Sequence, residues 1–171
     1  MSATPILLVG DAPDNHSGLG RIGHDLAWLL SSMPELRVGY FGRGGLGRAK
    51  FPWAAYTFDA RFQWGESKLE EAWRDFSPGG NGILLTVWDA SRILWMAHPD
   101  EMPAGLQEIL RSPQVQKWAY CMADSSGVDP SKLPMEQAAV LGAFDRVLMA
   151  SKWAYQLAKH SLPAHPDVDW L

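Results

Sequence analysis

Cysteine is almost missing from this chain. Cys121 stands alone, so no internal disulfide can form, and a reducing, cytoplasmic setting is the expectation. Long apolar runs are missing too: no stretch reaches the roughly 18–20 residues that a membrane helix needs. The N-terminus has no charged segment leading into an apolar one, so no secretory leader is expected. A basic excess is absent, with a net charge of −4 and a pI near 5.7, which excludes a general nucleic-acid binder on electrostatic grounds. None of the five His stands at zinc-like spacing from Cys121 or from a second His, so no metal site is expected. A G-x-S-x-G nucleophile elbow, internal repeats and low-complexity tracts are absent as well.

What the chain has is core-forming material. Hydrophobic residues make up 47% and charged residues only 20% of the 171 positions, enough for one compact domain spanning 1–171. The nine Trp belong mostly in that core, with some free for interfaces or sugar-stacking surfaces.

The most informative stretch runs from Ile6 to Leu30. Ile6-Leu7-Leu8-Val9 is an apolar run too short for a globular helix and fits a strand buried on both faces. A polar loop reaches Ser17, a natural N-cap. Leu19, Ile22, Leu26, Leu29, Leu30 and Met33 then fall on one helical face. Gly18 and Gly20 clear side chains from the start of that helix. Free backbone amides and the positive helix end would face outward there, which suits phosphate or another anion.

The alternation continues down the chain. Strands are expected at Arg37–Gly42, Gly82–Trp88, Lys117–Ala123 and Arg146–Ala150, with a last one starting at Val168. Tyr56 to Phe62 alternates apolar and polar, as a half-exposed strand or hairpin arm does. Helices are expected after Ser67-x-x-Glu70 (a capping-box pattern), around Met102–Leu110, from Met135 towards Phe144, and after Ser151 as a cap. Strands separated by helices imply parallel crossovers and a doubly wound, mainly parallel α/β sheet with helices on both faces.

In such sheets ligands bind beyond the carboxyl ends of the strands. That rule selects the Gly10–Gly20 loop, Asp89-Ala90-Ser91-Arg92, Asp124-Ser125-Ser126, and Ser151-Lys152. Carboxylates there can bind hydroxyls or take a proton, although Asp and Ser after strands also serve as helix caps. Gly18-x-Gly20-x-x-Gly23 matches the dinucleotide fingerprint in letters, but seven residues separate it from Gly10. Arg43 stands where an acid is expected, so only an NADP-type oxidoreductase domain would fit. Arg43, Arg48 and Lys50 with Tyr40, Phe41, Phe51 and Trp53 read as a surface for an acidic or lipid-linked acceptor, or simply as a solvated loop.

Taken together, these pieces resemble the N-terminal half of GT-B glycosyltransferases, especially glycosyltransferase family 4. The similar segments are Ser17-Gly18-Leu19-Gly20-Arg21, Thr86–Arg92, Trp118–Asp124 and Phe144–Trp153. The resemblance implies a Rossmann-like acceptor-side domain, with Gly18, Leu19, Gly20 and Arg21 approaching the donor diphosphate. Asp89, Ser91, Ser125 and Ser151 would line the substrate cleft, and Asp124 would stand where many members carry a catalytic His. It implies no cofactor, the nucleotide-sugar being the donor substrate. The E-x₇-E pair of the family's donor-binding domain is absent, because no two Glu here have that spacing. The expectation is therefore an acceptor-side half that is inactive alone and needs a C-terminal donor-binding domain as partner. Its exposed apolar surface leaves room for a homodimer. A non-catalytic binding or assembly module is the other alternative.

Overall fold

The computed structural model describes residues 3–45, 50–59, 61, 64–165 and 167–171. Strand β1 (Thr4–Asp11) is buried along nearly its whole length and leads through a polar loop into helix α1 (Gly18–Ser31). Strand β2 (Leu36–Arg43) follows, then the short strand β3 (Ala54–Phe58) and helix α2 (Leu69–Phe76). Strand β4 (Gly82–Val87) is buried at every residue. Beyond it come a 3₁₀ turn at Ala90–Arg92, the single turn α3 (Leu94–Ala97) and helix α4 (Ala104–Arg111). Strand β5 (Val115–Cys121), helix α5 (Met135–Leu141), strand β6 (Arg146–Met149), helix α6 (Lys152–Ser161) and strand β7 (Val168–Trp170) complete the chain.

All seven strands lie parallel in the order β3-β2-β1-β4-β5-β6-β7. This is a Rossmann-like doubly wound sheet, and the order reverses between β1 and β4. Right-handed crossovers put the β1–β2 connection on one face and the connections from β4 onward on the other. The two cores obey this rule. Leu7, Val9, Phe41 and Leu84 face α2, α3, α4, α5 and α6, whereas Ile6, Leu8, Val38, Tyr40, Ile83 and Leu85 face α1 and the segment around Trp53. Among the described residues α1 is the only helix in the second core, so Trp118 and Tyr120 of β5 are only partly buried on that side.

α1 packs closer than its leucines suggest. Gly20, Gly23 and Ala27 are its buried residues, and Leu29 is 56% exposed rather than on the packed face. The reason is Tyr40. A Cβ on Gly23 would lie 1.9 Å from the Tyr40 hydroxyl, so only a bare backbone fits over that ring. The hydroxyl in turn donates to the Asp11 carbonyl at 2.9 Å.

Other sequence expectations are refined by the structure. Ser67 does not cap α2: the helix starts one residue after Lys68, with no side-chain cap. The Gly65 carbonyl accepts the amides of Lys68 and Leu69, and Glu70 pairs with Arg74 at 3.0 Å instead of reaching back. The alternation that begins at Tyr56 does belong to a half-exposed strand, the parallel edge strand β3, which ends at Phe58; Ala60 and Phe62 lie outside the described residues. The basic and aromatic cluster divides: Tyr40, Phe51 and Trp53 gather in the second core, Phe41 faces the first, and Arg48 lies outside the described residues.

Candidate functional site

Three neighbouring strands each run into an aspartate at their carboxyl ends: β1 into Asp11, β4 into Asp89 and β5 into Asp124. Asp11 is the anchor. Its side chain is only 8% exposed, yet both oxygens are satisfied. Oδ2 accepts from the Ser17 hydroxyl at 2.8 Å, Oδ1 accepts from the Trp88 indole N–H at 3.0 Å, and Arg92 Nη1 stands 3.6 Å from Oδ1. A buried carboxylate is tolerable only with partners of this kind. Arg92 also pairs through Nε with Asp89 Oδ2 at 2.9 Å, so one guanidinium joins the ends of β1 and β4 across the reversal point.

Trp64 covers this cluster. The guanidinium carbons of Arg43 and Arg92 lie 4.7 and 5.2 Å from the centre of its ring, and its indole meets that of Trp88 edge to face at 5.8 Å. Arg43, the last residue of β2, is thus held by an aromatic face in addition to its other contacts.

Ser17 ties the cluster to the start of α1. Its oxygen accepts from the Gly20 amide at 2.9 Å while its proton goes to Asp11. Gly20 is buried against the Ala12 and Asn15 carbonyls, where a Cβ would sit 2.7 and 3.0 Å away. The Gly18 and Leu19 amides are left without an acceptor among the described residues. Beside them is a hollow of about 410 Å³ lined by Pro13 to Gly18 and by Arg21. Asp14 lines it too, and its Oδ1 is buried with no hydrogen-bond partner. The hollow therefore brings the start of α1, a cation and an aspartate to one place, a setting that suits an anionic group.

The sequence-selected residues divide accordingly. Gly18 and Arg21 border the hollow, Gly20 supports it, and Leu19 packs partly against the larger core. Arg21 is 80% exposed and pairs with Asp25 at 3.2 Å. Asp89 belongs to the Asp11 cluster and accepts the Ser91 hydroxyl, so Ser91 serves Asp89 in this state. Asp124 and Ser125 are exposed beyond β5. The buried Cys121 thiol feels both Asp89 and Asp124: burial first, then these two charges, push it up to about 12. Ser151 stands apart as the cap of α6, accepting from the Ala154 amide at 3.2 Å.

Sequence reading selected the Gly10–Gly20 loop without singling out Asp11 or Asp14 in it, and it missed Trp64. Asp11 satisfies the same strand-end rule that selected Asp89 and Asp124, so the signal was available. Asp14 and Trp64 gain their meaning only from the folded loops. Fingerprint glycines Gly20 and Gly23 are accounted for by close packing against Ala12, Asn15 and Tyr40.

A larger hollow, about 620 Å³, lies at the opposite end of the sheet beside Lys117, Asp145 and Asp167. Its acids are already used: Asp145 accepts the Lys117 amide at 2.6 Å, and Asp167 accepts from Arg146 Nε at 3.1 Å. The carboxyl-end hollow has the better chemistry despite its smaller volume.

Among the described residues no group of three or more His, Cys, Asp or Glu is arranged to hold a metal ion. No helix there is long and apolar enough to cross a membrane. Neither a known family nor a curated protein matches the sequence.

Proposed function

We propose that this chain is the acceptor-side domain of a glycosyltransferase that moves a sugar from a nucleotide-sugar to a hydroxyl acceptor. The observation that carries this reading is the polar hollow at the start of α1. There Gly18 at the helix start, the Arg21 cation and Asp14 border one space, next to the point where strand order reverses. Diphosphate oxygens match the helix start and the cation, and a sugar hydroxyl matches the carboxylate.

The chemistry asks little more of this side of the cleft. An acceptor oxygen attacks the anomeric carbon as the bond from that carbon to the diphosphate breaks. The acceptor's proton passes to a base, and exposed Asp124 at the end of β5 is the proposed one. Asp89 and Ser125 would orient the acceptor, with Ser91 adding a hydroxyl once Asp89 releases it. Ser151 keeps its capping role at the start of α6. The acids that grip the donor sugar in such enzymes are not among these residues, so a donor-binding domain is the proposed partner.

The test is an assay of the gene product that contains this chain, offered a panel of nucleotide-sugars and hydroxyl acceptors. Release of nucleoside diphosphate that depends on acceptor supports the reading. Absence of release with the whole panel, from protein shown to be folded, overturns it.

A further inference from the structure

We infer that the outer face of α1 carries a subsite for an extended, neutral carbohydrate chain, centred on Trp28. The inference rests on the proposed glycosyl transfer and names the acceptor class as an oligosaccharide rather than a small alcohol.

Arg21, His24, Asp25 and Trp28 recur at spacings of three and four, so they form one row on the helix, away from the buried Gly20, Gly23 and Ala27. Trp28 is 61% exposed, a large indole left facing water. It is nevertheless held in place. The His24 ring lies nearly parallel to it (16°, 6.4 Å between centroids), and Trp53 meets it edge-on at 6.2 Å. Trp53 is itself buried and stacked on Phe51 at 5.2 Å. A plane fixed before the ligand arrives avoids much of the ordering cost of binding.

The polar groups next to this plane come in both senses. Asp25 accepts from Arg21 Nε at 3.2 Å and lies 3.1 Å from His24 Nδ1, all at the surface. A pyranose ring needs this combination: its C–H face covers an aromatic plane while its rim hydroxyls both donate and accept. Charge argues against an anionic lipid surface, because Arg21 is matched by Asp25 within the row. A protein interface of ordinary size needs far more apolar area than Trp28 with its exposed neighbour Leu29.

The row also points the right way. Arg21 borders the hollow at the helix start, and Trp28 lies ten residues beyond Gly18, about 15 Å along the axis at 1.5 Å per residue. An acceptor chain with its reacting end beside the hollow, next to the donor, would run along the row of His24 and Asp25 and reach Trp28 with a later ring.

The test is nitrogen-15 NMR of the indole N–H groups, titrated with neutral gluco- and chito-oligosaccharides of one to six rings. The expected result is a saturable shift of the Trp28 resonance, with Kd on the order of 1 mM for tetrasaccharides and at least about tenfold weaker binding of monosaccharides. Measured by calorimetry, Trp28→Ala should abolish the length-dependent binding, Trp28→Phe should retain part of it, and Asp25→Ala should weaken it. A Trp28 signal that ignores every oligosaccharide overturns the inference. So does one that responds only to anionic phospholipid vesicles or to protein concentration. Acceptor-dependent turnover with a silent Trp28 removes the subsite and leaves the transferase reading. Oligosaccharide binding at Trp28 without turnover from any nucleotide-sugar removes the transferase reading and leaves the subsite.

Discussion

The Trp88 indole N–H donates to Asp11 Oδ1 at 3.0 Å, joining residues 77 positions apart at the seam between β1 and β4. Both groups are buried, so each depends on the other for its polar atom. Asp11→Ala should therefore destabilise the fold by about 3–5 kcal/mol, since Arg92 and Trp88 lose a buried acceptor together. Asp11→Asn keeps the shape and one acceptor oxygen and should cost about 1–3 kcal/mol. Urea denaturation of both variants checks the order; equal stabilities would show that the carboxylate is not what holds the seam.

Ser17 and Ser151 are both helix caps, but only Ser17 also serves a buried acid. Removing a serine cap costs about 1 kcal/mol. Ser151→Ala should show roughly that loss, and Ser17→Ala more, because Asp11 loses a donor as well. Thermal melts of the two variants, measured side by side, make the comparison.

Gly23 and Tyr40 are coupled through space that only one of them can occupy. Gly23→Ala should destabilise by about 1–3 kcal/mol through overpacking. Tyr40→Phe removes the clashing oxygen, so the double variant should be less damaged than the two single losses added together. A double-mutant cycle in denaturant gives the coupling directly.

Cys121 supplies a pH test. Its folded thiol is pushed up to about 12 from 9.0, so the folded state holds the proton more tightly than the unfolded one. Its contribution to stability is complete below about pH 9 and is lost as the pH rises through the folded value. Stability should fall as the pH rises above about 9, by a slope that Cys121→Ala removes. The native thiol should also be inert to a disulfide reagent at pH 8 and react only on unfolding.

Two variants address the chemistry in the gene product that contains this chain. Asp124→Asn should lower kcat by about 10²–10⁴-fold if Asp124 takes the acceptor proton, with donor affinity unchanged. Arg21→Ala should weaken donor binding about three- to tenfold, most clearly at low salt, because an exposed cation is readily screened. An unchanged kcat in the first, or unchanged donor affinity in the second, takes that residue out of its role.

Strand and helix alternation was legible in the sequence because runs such as Ile6–Val9 and Gly82–Val87 are apolar throughout, as strands covered on both sides must be. Asp89 and Asp124 were legible through their position after such runs. Asp11 was obscured because the loop appeared to begin at Gly10, one residue before the strand ends. The Arg43–Trp64–Arg92 stack had no local signal, since three separate connections bring it together. Likewise, Leu29 looked like a packed residue until the Gly23–Tyr40 contact fixed the rotation of α1 about its axis.

The uneven cladding of the sheet has a mechanical consequence. Strands β1, β2 and β4 are clamped from above and below, whereas among the described residues β5 to β7 carry helices on one side only. The sheet should therefore be stiff at one flank and pliant at the other. Amide hydrogen exchange should slow towards β1 and quicken towards β7, and any twist imposed by a docked neighbour should be absorbed on the pliant flank, leaving the Asp11 seam in register.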